Sequence, residues 1–134
     1  SGALVGMWMM TIGNTLKTDP VDAIQVYKAL DAGLAALMRL GKAKVGDKTM
    51  IDTLDPFVRA YGEAANGGQT ILAAWKVALP AAEQGMRSTA EMISKRGRSS
   101  RLGERSRGHL DPGAVSIFYV LRAVADTLEE GCAA

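Results

Sequence analysis

The chain has 134 residues, 48% of them apolar and 22% charged, and its net charge is +2. That length supports one hydrophobic core, so residues 1–134 read as a single domain or part of one. No run approaches the roughly 18 consecutive apolar residues of a membrane-spanning helix, and the single cysteine, Cys132, excludes an internal disulfide and fits a reducing compartment such as the cytoplasm.

Strand signals are nearly absent. The chain has only two Phe and three Tyr, and alanine, leucine and methionine dominate, which favours an all-α fold. Residues 1–14 read as an apolar helix entered without a cap residue, as if residues preceded it; they lack the basic lead and cleavage site of a signal peptide. Asp19 then offers an N-cap, Pro20 suits the first helical position, and Asp22 complements the helix dipole. Val21, Ile24, Tyr27, Leu30, Leu34, Leu37 and Met38 follow at helical spacing, and Gly41 is expected to close this helix. Asp47 is expected to cap the next one, with Met50, Ile51, Leu54, Phe57, Val58 and Tyr61 on its apolar face and Pro56 bending it. Asn66-Gly67-Gly68 is a turn signal. Residues 69–94 read as a long helix with Leu72, Trp75, Leu79, Met86 and Ile93 inward and a kink at Pro80. Residues 94–110, broken by Gly97, Gly103, Gly108 and Ser99-Ser100, read as a long loop of the kind that commonly carries function. Asp111-Pro112 restarts a helix whose residues 114–128 are apolar on most faces, as inside a bundle. The expected architecture is about five antiparallel up-and-down helices.

Charge is unevenly spread. Lys95, Arg96, Arg98, Arg101, Arg105 and Arg107, against Glu104 and Asp111, give residues 94–113 about +4. Guanidinium groups make forked bonds to phosphate, glycines let the backbone approach a ligand, and the free N–H groups at the start of the Asp111 helix favour an anion. A solvated basic loop paired with local acids accounts for the same composition. The segment Gly41-Lys42-Ala43-Lys44-Val45-Gly46-Asp47-Lys48-Thr49 looks superficially like a Walker loop. Asp47 interrupts that pattern and a helix rather than a strand precedes it, so the geometry of such a loop is missing and a helix end followed by a helix cap is the favoured reading. In an up-and-down bundle, both loops fall on one rim.

Gly46-Asp47-Lys48-Thr49-Met50, then Gly97-Arg98-Ser99-Ser100-Arg101-Leu102-Gly103-Glu104-Arg105-Ser106, then Gly108-His109-Leu110-Asp111-Pro112-Gly113-Ala114 resemble the nucleotide-binding domain of the dihydroxyacetone kinase family. Ser1-Gly2-Ala3-Leu4 resembles the tail of that family's Gly-Gly-x-Ser-Gly signature, so the resemblance spans essentially the whole chain. It implies an eight-helix antiparallel barrel, of which this chain would be the C-terminal portion, with ADP or ATP at one rim. It also implies a partner subunit or domain that holds dihydroxyacetone. By position, Ser1 matches a phosphate-contacting serine, Gly41 and Met50 match pocket residues, Arg98 matches the nucleotide-reaching arginine, and Asp111, Pro112 and Gly113 match the last helix start. Thr49 is a further candidate neighbour.

The family's magnesium-binding aspartates lie in a motif before the Ser-Gly signature. Mg2+ ligands are therefore not expected among these residues; Asp47, Asp52 and Asp55 match no family ligand, and no catalytic residue is assigned here. These 134 residues by themselves are expected to bind nucleotide weakly or not at all and to be inactive. His109, the sole histidine, is expected to shape its loop, Cys132 to be an incidental exposed thiol, and Trp8 and Trp75 to pack in the core. Met7, Met9 and Met10 are expected to fill the core or a face shared with missing helices. The favoured reading is a phosphotransferase component that holds nucleotide for phosphoryl transfer to a triose or related ketose. The alternative is an ADP-carrying adaptor that takes phosphate from a phosphotransferase-system phosphoprotein and contacts a regulator. Nucleic-acid binding is disfavoured, because no aromatic residues interleave with the arginines.

Overall fold

The computed structural model describes Trp8, residues 22–92 and residues 108–133. These form α1 (Ala23–Gly41), α2 (Ile51–Asn66), α3 (Ile71–Ser88), a 3-10 turn (Thr89–Glu91) and α4 (Pro112–Ala133), with no strand among the described residues. The helix expected over 1–14 lies outside the described residues apart from Trp8, which is helical and 3% exposed. Most of the expected loop over 94–110 also lies outside them.

Helix α1 starts later than expected. Asp22 is its N-cap, accepting from Gln25 N at 2.8 Å while Gln25 Oε1 accepts from Asp22 N at 3.2 Å. This reciprocal box satisfies two amides at once, and it replaces Asp19 and Pro20 as the start signal. Ile24 consequently sits on the outer side, 41% exposed, rather than in the core. The Asn66-Gly67-Gly68 turn forms as read, with Gly68 at φ 93, and Thr70 Oγ1 caps α3 by accepting from Ala73 N at 3.2 Å. Helices α2 and α3 run through Pro56 and Pro80. Leu72 and Leu79, expected inward, are half-buried.

Contacts between helix ends fix the directions. Tyr61, late in α2, donates to Ala23 O at the start of α1 (3.0 Å), so these helices are antiparallel. Gly85, late in α3, lies against Asp52 and Pro56 near the start of α2. Thr53, early in α2, donates to Ala114 O early in α4 (2.9 Å), and Trp75, early in α3, donates through Nε1 to Leu121 O midway along α4 (2.8 Å). The starts of α2 and α4 and the ends of α1 and α3 therefore share one rim.

Phe57, Tyr61 and Trp75 form the aromatic centre of the core, with ring centroids 4.9 to 6.4 Å apart. Leu30, Leu54, Val58, Ile117 and Leu121 surround it, each at 1% exposure or less. Each such side chain contributes about 1.5–3 kcal/mol through burial, so the rim loops rest on a well-packed base. Two glycines set the helix spacing. A Cβ on Gly62 would meet the Tyr27 ring (2.6 Å to Cζ), and one on Gly85 would overlap the Asp52 carbonyl and reach Pro56 Cγ at 2.7 Å.

Candidate functional site

Residues 42–50 join α1 to α2 along this rim, and their backbone is irregular. Gly41 stays helical; the left-handed closing position is Lys42 at φ 51 rather than the expected glycine. A Cβ on Gly41 would meet no atom within 4 Å, so the end of α1 is open there. Gly46 and Lys48 also have positive φ, 99 and 63, and for lysine that conformation is uncommon enough to require support from its surroundings.

Asp52 supplies that support. Its carboxylate is buried and accepts from Gly46 N at 2.6 Å through Oδ1 and from Thr49 N at 2.9 Å through Oδ2. Asp47 is not the expected cap of α2. The N-cap position is Met50, without a side-chain cap bond, and Asp47 Oδ2 instead accepts from Lys44 N at 3.2 Å within the loop. Asp52, inside the first turn, complements the helix dipole and reaches back to loop amides, while the side chain that accepts from the first amide of α2 belongs to Thr49. Thr49 Oγ1 accepts from Ile51 N at 3.1 Å.

Helix α4 begins as expected. Asp111 Oδ2 accepts from Ala114 N at 2.9 Å, with Pro112 at the first helical position. A Cβ on Gly113 would come within 3.2 Å of Asp111 Oδ2 and stand at ordinary contact, 3.9 Å, from Met50 N, so the first turn of α4 lies beside the start of α2. The 3-10 turn binds the same region. Thr89 Oγ1 accepts from Asp111 N at 3.0 Å and donates to Met86 O at 2.6 Å, and Gly108 N donates to Ala90 O. Lys48, only 2% exposed, donates through Nζ to Met92 O at 3.1 Å. Both residues that flank the basic stretch 93–107 are thus tied to the rim that carries Met50 and Asp111.

The rim carries buried charge. Burial pushes the Asp111 carboxyl above its ordinary value, against the opposing pull of the Ala114 amide and the Lys48 charge. Among the described residues, no group of three His, Cys, Asp or Glu side chains could hold a metal ion. Asp47, Asp52 and Asp111 each accept from backbone amides. These carboxylates therefore do not fit Mg2+.

Of the residues singled out in the sequence, Met50, Asp111 and Gly113 come together, Thr49 and Gly41 bracket the same loop, and Pro112 is exposed at the helix start. Ser1 and Arg98 lie outside the described residues. His109 is exposed, and Trp8 and Trp75 are buried in the core as read. Lys48, Asp52 and Thr89 escaped sequence reasoning as site-forming residues. The spacing from Gly46 to Asp52, a loop glycine six residues before an acid in the first helical turn, is the signal that could have pointed to Asp52. At the opposite end of the bundle, an open depression of about 430 Å³ is lined by Asp22, Ile24, Gln69 and Ile71 among others; it has no such polar framework.

Among the described residues the protein is an all-helical bundle whose irregular 42–50 loop, 3-10 turn and α4 start meet at one rim, where Asp47, Asp52, Thr49 and Asp111 hold the backbone amides in place. A family profile, the DAK2 domain, matches residues 1–126, and the chain belongs to that family. It is 40% identical over 131 residues to L-erythrulose 1-kinase of Mycolicibacterium smegmatis, covering 96% of this chain and 22% of that enzyme. It is 33% identical over 127 residues to the ADP-binding subunit of PEP-dependent dihydroxyacetone kinase 1 from Listeria innocua, covering 95% of this chain and 59% of the subunit. The corresponding Escherichia coli subunit is 32% identical over 131 residues, 97% of this chain and 62% of the subunit. The chain thus spans about a fifth of the length of the erythrulose kinase and about three fifths of the subunits.

Proposed function

We propose that this DAK2 domain holds ADP or ATP in a dihydroxyacetone-type kinase, for phosphoryl transfer to a triose or related ketose bound by a partner subunit or domain. The observation that carries the reading is the junction of the 42–50 loop, the flanks of the basic stretch and the Asp111–Gly113 helix start on one rim. The names of the relatives, ADP-binding subunits and ketose kinases, point the same way. On this reading the helices belong to an eight-helix barrel, and the protein works in the cytoplasm.

Gly41, Thr49 and Met50 would line the nucleotide on one side, and Asp111, Pro112 and Gly113 on the other. Pro112 has no amide hydrogen and the Ala114 and Val115 amides bond to Asp111, so the start of α4 would contribute its helix dipole, while Ser1 and Arg98 would add contacts to phosphate oxygens. Catalysis here is positioning and charge stabilisation, because phosphoryl transfer asks little covalent chemistry of the protein. Mg2+, when bound, would offset phosphate charge, and its ligands would come from outside the described residues.

The test is ADP titration by calorimetry and ketose-kinase turnover of the full-length polypeptide with its partner. Arg98→Ala should weaken nucleotide retention and turnover at unchanged helical content by circular dichroism. Unaltered turnover would remove Arg98 from the site, and a full-length protein that takes up no adenine nucleotide would sink the proposal. A second reading, the ADP-carrying adaptor, draws on the two relatives named PEP-dependent. Turnover with a phosphotransferase-system phosphoprotein but not with ATP would favour it.

A further inference from the structure

Gly46-Asp47-Lys48-Thr49 looks only superficially like a phosphate-binding loop, and its lysine is turned to another use. Lys48 is 2% exposed, and its Nζ bonds to the Met92 carbonyl, 44 residues away in sequence. Its charge also acts on the Asp111 carboxyl, which caps α4. Met92 is the last described residue before the basic stretch, so the ammonium joins the 42–50 loop to that flank, and Thr89 of the same 3-10 turn holds Asp111 just beyond the stretch. Four residues further on, Asp52 grips the backbone on either side of Lys48, at Gly46 N and Thr49 N. It thereby holds Lys48 at its positive φ of 63, the conformation from which the side chain turns inward.

We propose that Lys48 and Asp52 are positioning residues that lock the 42–50 loop to the residues flanking the basic stretch, and that Lys48 makes no phosphate contact. The proposal rests on the nucleotide reading for its ligand but not for its geometry. A lysine bound to phosphate would contribute through charge, and its loss would weaken ADP binding while sparing adenosine and lowering the salt dependence of ADP binding. A buried strap acts instead on the shape of the whole rim. Its loss weakens ADP and adenosine by the same factor and leaves the salt dependence unchanged.

The experiment compares the full-length wild type with Lys48→Met, which keeps the apolar stem and removes the donor, and with Lys48→Arg, which keeps a donor and a charge. ADP and adenosine affinities are measured at low and high salt, and backbone hydrogen exchange is followed across 44–50 and across the flanks 89–92 and 108–115. Lys48→Met should weaken both ligands by a common factor of about ten and speed exchange in the loop and the flanks, while Lys48→Arg restores part of each. Selective loss of ADP binding, or unchanged affinities with unchanged exchange, overturns the proposal. If Lys48→Met does not fold, Asp52→Asn carries the test, since an amide offers one acceptor oxygen where two are used, and it should speed exchange at 44–50. Should the wild type take up no nucleotide while the variants still loosen the loop and the flanks, the function fails and the strap stands.

Discussion

The closest approach of α2 and α3 gives the sharpest quantitative prediction. A Cβ added at Gly85 overlaps the Asp52 carbonyl and comes within 2.7 Å of Pro56 Cγ. Neither obstacle is the loose end of a flexible side chain, so Gly85→Ala must push the helices apart. Overpacking of this kind costs about 1–3 kcal/mol, and the rigid obstruction argues for the upper end. Alanine regains up to about 1 kcal/mol of helix propensity, leaving a net loss of about 2 kcal/mol. At roughly 4 °C per kcal/mol for a chain of this length, Tm should fall by about 8 °C. Two controls bracket the effect. At Gly62 the obstacle is the half-buried Tyr27 ring, which can swing aside, so Gly62→Ala should lose less than about 1 kcal/mol; at Gly41 nothing lies within 4 Å, so Gly41→Ala should be near neutral. Thermal unfolding followed by circular dichroism ranks the three. Because the displaced carbonyl belongs to Asp52, Gly85→Ala should also weaken ligand binding at the rim. A Gly85→Ala protein as stable as the wild type, or more stable than Gly62→Ala, would refute the reasoning.

Burial pushes the Tyr61 phenol up to about 12 from an ordinary 10.0, with Asp22 adding to the shift. The folded state holds that proton more tightly than the unfolded state does, so stability is unaffected below pH 10 and declines by about 3 kcal/mol as pH rises to 12. Urea unfolding of Tyr61→Phe should lack the part of the alkaline decline due to this phenol; an identical decline in both proteins contradicts the assignment. Asp111 is also raised, so its protonated form favours the fold below its ordinary value of 3.8, and that contribution is lost as pH climbs through the folded value. Asp111→Asn keeps an acceptor for Ala114 N without the buried charge and should match the wild type at pH 7 within about 0.5 kcal/mol, whereas Asp111→Ala loses the cap and about 1 kcal/mol. Equal urea midpoints for the two variants would count against capping. Trp75→Phe removes the 2.8 Å bond to Leu121 O and some core volume, and should cost about 1–3 kcal/mol by denaturant midpoint.

The helices were largely legible along the chain, because their signals are local. Apolar spacing from Tyr27 to Met38 and from Ile51 to Tyr61, the Asn66-Gly67-Gly68 turn and the Asp111-Pro112 start each fix an element through nearby residues. Local signals compete where several acids stand close together. Asp19 and Asp22 both suit the start of α1, and a reciprocal partner at Gln25 goes with the second. Asp47 and Asp52 both suit the start of α2, and the second prevails because its carboxylate reaches two loop amides from inside the first turn.

What the chain by itself determined is the helical content and the polar loops at helix ends. Helix propensity, apolar period and turn chemistry act over a few residues, so they can be read in one dimension. Only the tertiary structure decided which of those polar residues face inward. Lys48 sits beneath the rim against Met92, and Gly85 and Gly113 serve as contact points rather than flexible joints. Those roles depend on carbonyls and amides brought together from 33 to 63 positions apart, and such approaches are set by helix packing, not by neighbours in the chain.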